Sequence, residues 1–198
     1  MKHNEAYRKG VDLITPHMRL AGRNPNLSAQ ALADLREGIR YLDMVLNVAS
    51  NNWAAWWVRG KAEQALTNHE SAYESFHSSY IINSQNRDVG RELVLECLET
   101  GRASEAVQVA EAICEREPKN AGLLANLALA YLIDGQVEKA MRSAEAALQS
   151  DNSDPITKCV KIRIAECSGG PSATTIVPVR FILRTITRAT PTPFHRCA

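Results

Sequence analysis

No two of the five cysteines, Cys97, Cys114, Cys159, Cys167 and Cys197, have the two-residue gap of a zinc or redox motif. An odd count without such a pair argues against a disulfide framework and for idle or buried thiols in a reducing compartment. Charge of one sign is lacking too. Lys and Arg number 23 against 22 Asp and Glu, a net charge of +1. Near neutrality speaks against bulk electrostatic capture of nucleic acid or of an anionic membrane, and neither partner is expected. No apolar run approaches the roughly twenty residues of a membrane span. The first five residues are polar and nothing after them reads as a signal peptide, so the expected location is cytoplasmic.

Catalytic patterns are missing as well. The five histidines, His3, His17, His69, His77 and His195, are scattered, and His69 and His77 stand eight apart instead of at the i, i+4 spacing of a helical metal pair. No glycine cluster has the spacing of a phosphate-binding loop. Glu105, Glu111, Glu115 and Glu117 are placed like a solvated helix face. No enzymatic activity, metal or cofactor is expected.

What is present is a period. Asn52, Asn86, Asn120 and Asp154 recur every 34 positions, as do Gly38, Ala72, Ala106 and Ala140, and as do Gly101, Gly135 and Gly169. A repeat of that length marks stacked helix–turn–helix units. Each recurring type has a physical task. The Asn and Asp oxygens stand just before helical patterns, where they accept hydrogen bonds from first-turn N–H groups. Gly101 and Gly135 mark turns that need a positive φ. Small residues at 38, 72, 106 and 140 let paired helices approach closely. Between these marks the apolar residues keep helical spacing, for example Leu124, Leu127, Ala128 and Tyr131, followed by Ala140, Ala144, Ala147 and Leu148.

Trp56, Gly60, Ala72 and Phe76 in one unit, and Leu124, Ala128, Tyr131, Gly135 and Ala140 in another, make the chain resemble the tetratricopeptide repeat family. The unit between them is weaker, with Gly90 where the aromatic belongs, although Gly101, Ala106 and Pro118 fit. The resemblance implies an all-α fold, a right-handed superhelical stack of helical hairpins with a non-helical C-terminal tail. The expected division is an N-terminal helix and loop over 1–26, then a repeat domain over 27–168. Its units lie near 27–52, 53–86, 87–120 and 121–154, with a capping helix over 155–168. Tyr7, Val11, Ile14 and Met18 form an apolar stripe that predicts a helix over 4–20, standing in for a missing first helix or detached as a docking helix. From Gly169 onward there are four arginines and no Lys, Asp or Glu, and a tail over 169–198 is expected to be disordered or loosely packed.

In this family the first helix of each unit lines an inner groove. The matching positions are Trp57, Lys61 and Gln64, then Arg91, Leu95 and Leu98, then Ala125, Leu129 and Leu132. Trp57 and Leu95 stand where a clamp for acidic C-termini needs polar residues, so a mixed groove with two cations is expected, suited to an apolar-anchored peptide or helix of a partner protein. The leucines fit a groove or the packing between repeats equally well. The resulting expectation is a non-enzymatic interaction module or adaptor. Two alternatives stand beside it. One is a secretion-type chaperone forming a homodimer through its N-terminal helix, and the other is the regulatory repeat region of a larger enzyme.

Overall fold

The computed structural model describes residues 3–18 and 27–151, together with Lys158 and Lys161. Among them are eight α-helices and no strand. These are α1 (His3–Ile14), α2 (Ala29–Leu46), α3 (Trp53–Ala65), α4 (His69–Ile82), α5 (Arg87–Glu99), α6 (Ala103–Arg116), α7 (Ala121–Ile133) and α8 (Val137–Ser150). The capping helix expected over 155–168 and the tail over 169–198 lie outside the described residues, Lys158 and Lys161 apart. Among the described residues no helix is long and apolar enough to cross a membrane.

The periodic asparagines act as caps. Asn52 Oδ1 accepts from the Ala55 N–H at 3.1 Å, Asn86 from Asp88 and Val89 at 2.9 and 3.2 Å, and Asn120 from Leu123 at 3.2 Å. Each starts a first helix, α3, α5 or α7. The N-terminal stripe yields a shorter helix than its 4–20 span. Here α1 stops at Ile14 and a 3-10 turn, Thr15–His17, follows around Pro16. Pro16 has no N–H to give and its ring clashes with the carbonyl four residues back.

The turn inside each hairpin repeats with its hydrogen bonds. Asn68, Arg102 and Gln136 donate their N–H to the carbonyls of Glu63, Cys97 and Tyr131 at 2.9, 2.7 and 2.8 Å. Thr67, Gly101 and Gly135 donate to Gln64, Leu98 and Leu132. This is the Schellman pattern, whose C′ residue is left-handed. Gly101 and Gly135 have φ of 79° and 80°, and Thr67 is forced to 62° in the same position. A β-branched residue there is strained by about 1–2 kcal/mol. Thr67→Gly is therefore expected to raise stability by about 1 kcal/mol, net of the added freedom of the unfolded chain. Urea unfolding followed by circular dichroism measures it, and a loss of stability would refute the strain.

Two apolar clusters form the interior. One gathers Ala6, Ile14, Leu35, Leu42, Val45 and Val58 from α1, α2 and α3. The other joins Ala72 and Phe76 of α4 to buried residues of α5, α6, α7 and α8. Small residues set the close crossings. A Cβ on Gly38 would lie 2.5 Å from Ile14 Cγ1, and one on Gly60 would lie 2.7 Å from Phe76 Cε1. At Gly90 the missing aromatic is replaced from outside the helix. Ile113 and Tyr80 occupy the space, 2.7 and 3.3 Å from where a Cβ would stand.

Cys97 and Cys114 are buried free thiols. Burial is the first cause that raises them, Cys97 to about 12 and Cys114 to about 11. At neutral pH neither carries thiolate, the reactive form. Both are expected to resist alkylation in native protein and to react only as it unfolds, read by peptide mass spectrometry. Rapid native labelling of either would contradict the packing.

Candidate functional site

The first helices α3 and α5 meet through long polar side chains instead of apolar ones. Lys61 Nζ lies 3.1 Å from Glu92 Oε2 and donates to Gln64 Oε1 at 2.6 Å. Gln64 Nε2 donates to Glu92 Oε2 at 3.1 Å and to Glu96 Oε1 at 2.9 Å. His69 Nδ1, at the start of α4, is 2.8 Å from Glu96 Oε2. Arg91 Nη2 reaches Glu92 Oε1 at 3.2 Å and Asp88 Oδ1 at 3.9 Å. Lys61, Glu92 and Glu96 are each only 2% exposed. Charges this far from water need partners, and these side chains supply one another.

This geometry revises the expected groove. Lys61 is not a free cation on an open surface, because Glu92 neutralises it under cover. The reason is the reach of its four-carbon stem across to the next first helix. Ala125 and Leu129 are 1% and 2% exposed, and Leu98 and Leu132 are buried as well. These four belong to the buried interior: Leu98 lies on α5, and the other three lie on α7, which is apolar almost all round and buries nine of its residues. Trp57, Gln64, Arg91 and Leu95 keep part of their surface. Trp57 packs against both apolar clusters, and its indole Nε1 is buried without a hydrogen-bond partner among the described residues.

The structure thus unites Lys61, Gln64 and Arg91 around two carboxylates that the periodic pattern passed over, Glu92 and Glu96. A signal for them exists in the sequence. The two glutamates are four apart, so they share a face of α5, and each is followed in the chain by a core position, Leu93 and Cys97. Acids among core positions call for a buried partner.

Other ties join successive units at the surface. Tyr73 Oη donates to Glu105 at 3.0 Å, and Arg102 sits 4.1 Å over the Tyr73 ring while pairing with Glu70 at 2.9 Å. Burial, and then the bond to Glu105, pushes the Tyr73 phenol up to about 12. Tyr131 donates to Glu111 and is raised to about 12, first by burial. Among the described residues no three His, Cys, Asp or Glu side chains converge as metal ligands.

A helical stack ordered in this way has solved counterparts. The structure of a MamA RS-1 double mutant superposes with a TM-score of 0.69 at 15% identity, over 95% of this chain and 96% of that one. The chain shares the fold of MamA. MamA 41-end from Desulfovibrio magneticus RS-1 matches with a TM-score of 0.63 at 17% identity, over 93% and 97% of the two chains. MamA MSR-1 matches with 0.65 at 16% identity, over 94% and 97%. MamA is a tetratricopeptide-like helical-repeat protein, so the arrangement of hairpins here is that of a helical-repeat fold. Identities this low speak to the fold alone. No family model and no curated protein matches the chain.

Proposed function

We propose that this chain is a non-enzymatic interaction module that holds a peptide or helix of a partner protein against α3 and α5. The observation that carries the reading is the run of partly exposed Trp57, Gln64, Arg91 and Leu95 on two successive first helices. An aromatic, an amide, a guanidinium and an aliphatic side chain in one row provide an apolar anchor point beside polar contacts. The buried network beneath holds the row rigid, so little order has to be lost on binding. A helical-repeat fold offers the extended surface that such contacts need. Reduced, buried Cys97 and Cys114 suit the cytoplasmic setting that the reading includes.

The chaperone alternative, with dimerisation through the N-terminal helix, is less well supported. The buried face of α1, Ala6, Gly10 and Ile14, is already used within the chain.

The test pairs Trp57→Ala with Arg91→Ala. Cross-linking in native lysate with mass spectrometry identifies a bound protein, and titration calorimetry compares wild type with the double variant. Loss of binding with cooperative unfolding preserved is expected. Binding at wild-type strength would overturn the reading.

A further inference from the structure

The two buried carboxylates of the α3–α5 network are neutralised differently. Glu92 faces Lys61 at 3.1 Å and Arg91 at 3.2 Å. Glu96 has Gln64 Nε2 at 2.9 Å on one oxygen and His69 Nδ1 at 2.8 Å on the other, and among the described residues no Lys or Arg pairs with it. The Glu96 side chain is 2% exposed and that of His69 18%. A carboxylate this far from water needs a counter-charge. The Gln64 amide gives a hydrogen bond without one. The imidazole can give both, and a charge-assisted bond at this length favours the protonated ring.

The other charged and titratable groups about His69 leave this pairing in place. From α3 come Lys61, matched by Glu92, and Glu63, which lies 3.7 Å from Arg59 and accepts from Asn68 Nδ2 at 2.8 Å. On α4 itself Glu70 pairs with Arg102 of α6 at 2.9 Å, and burial, then the bond to Glu105, pushes the Tyr73 phenol up to about 12. On α5 the Cys97 thiol is raised to about 12, first by burial, and stays neutral, while Glu99 adds a further carboxylate three residues beyond Glu96. Each nearby cation has a carboxylate of its own, so none replaces His69. The positive end of the α4 dipole opposes a cation at His69. That effect is weak where a helix end meets water, as at exposed Thr67 and Asn68, whereas Glu96 acts at 2.8 Å under cover.

We propose that His69 and Glu96 form a proton-operated latch that fastens α5 to the α3–α4 hairpin. With the ring protonated, an imidazolium–carboxylate pair closes the network beside Gln64. When the ring loses its proton, Glu96 is left buried among neutral donors and the junction between the two repeats loosens. The sign follows from linkage. The folded chain holds the proton more tightly than the unfolded chain, so the added stability is complete below the unfolded midpoint and is lost as the pH rises through the folded one. The latch stands independently of partner binding at the α3–α5 face.

The experiment follows the His69 ring of the full wild-type chain by NMR through a pH titration, with the urea-unfolded chain as reference. The folded midpoint is expected at least about one pH unit higher. Glu96→Gln is expected to bring it down to the unfolded value or below. His69→Gln keeps a donor toward Glu96 without the charge. Urea unfolding of wild type and His69→Gln is compared at about pH 6 and about pH 9. The wild-type advantage in the folding equilibrium constant is expected to shrink at least about fivefold between them. The remaining histidines and the thiols are common to both proteins, so their titration cancels. A purely structural hydrogen bond would give an advantage that does not change with pH. That result would overturn the latch, as would a wild-type His69 midpoint at or below the unfolded one, or a midpoint unmoved by Glu96→Gln. The wild-type titration decides the matter even where a variant fails to fold.

Discussion

Replacing Glu92 with Ala is expected to destabilise the chain by about 3–5 kcal/mol, because it strands the Lys61 ammonium in the interior. A domain has only about 5–15 kcal/mol in total, so the variant should sit close to unfolding at room temperature. The Coulomb attraction of the native pair is not the source of that figure. Two charges at 3.1 Å attract strongly, but both were taken from water to reach 2% exposure. The cost appears when one partner is removed and the other stays behind. The pair as a whole should therefore be dispensable. Lys61→Met combined with Glu92→Leu is expected to lie within about 1 kcal/mol of wild type, or above it. The single Lys61→Met change should fall between, since Gln64 and Arg91 continue to donate to Glu92. Urea unfolding of wild type, Lys61→Met, Glu92→Leu and the double variant closes the cycle and gives the coupling directly. A cost below about 1 kcal/mol for Glu92→Ala would mean that water reaches the pair.

Phe76→Ala is expected to cost about 3–5 kcal/mol. The ring is fully buried in the cluster that spans α4 to α8, and it fills the space that Gly60 leaves open on α3. The converse change makes the same point by overpacking. A methyl at Gly60 would meet three ring atoms at 2.7 to 2.9 Å, and Gly60→Ala alone should cost about 1–3 kcal/mol. Gly60→Ala with Phe76→Leu should be less damaging than the sum of the two, because the smaller side chain vacates the contact. Strict additivity in thermal or urea unfolding would show that the two positions do not share one cavity.

Much of the fold was legible along the chain, and for identifiable reasons. Asn52, Asn86 and Asn120 announce helix starts because capping depends on the residue itself and three neighbours. Gly101 and Gly135 announce turns because a positive φ is a local demand. Thr67 escaped notice for the same reason in reverse. It occupies the equivalent turn with a side chain that a local rule would reject, and only the packing of α3 against α4 holds it there. The candidate site was less legible. The period aligns Lys61 with Leu95, yet its partner is Glu92, about one helical turn away. Neighbouring helices touch with an offset, so equal positions in successive repeats are not the positions that meet. Leu98, Leu129 and Leu132 carried the same ambiguity, since an apolar residue has one chemistry on a groove and in a core.

The period, the caps, the turns and the helical hairpins were determined by the sequence by itself, since each follows from interactions within a few residues or from a pattern repeated at fixed spacing. Tertiary structure alone decided which charges are free. Lys61 and Glu92 are 31 residues apart in the chain and 3.1 Å apart in space, and their solvent was excluded only when two units stacked. Burial and pairing across such a separation depend on the relative placement of whole helices, and no local rule contains that information.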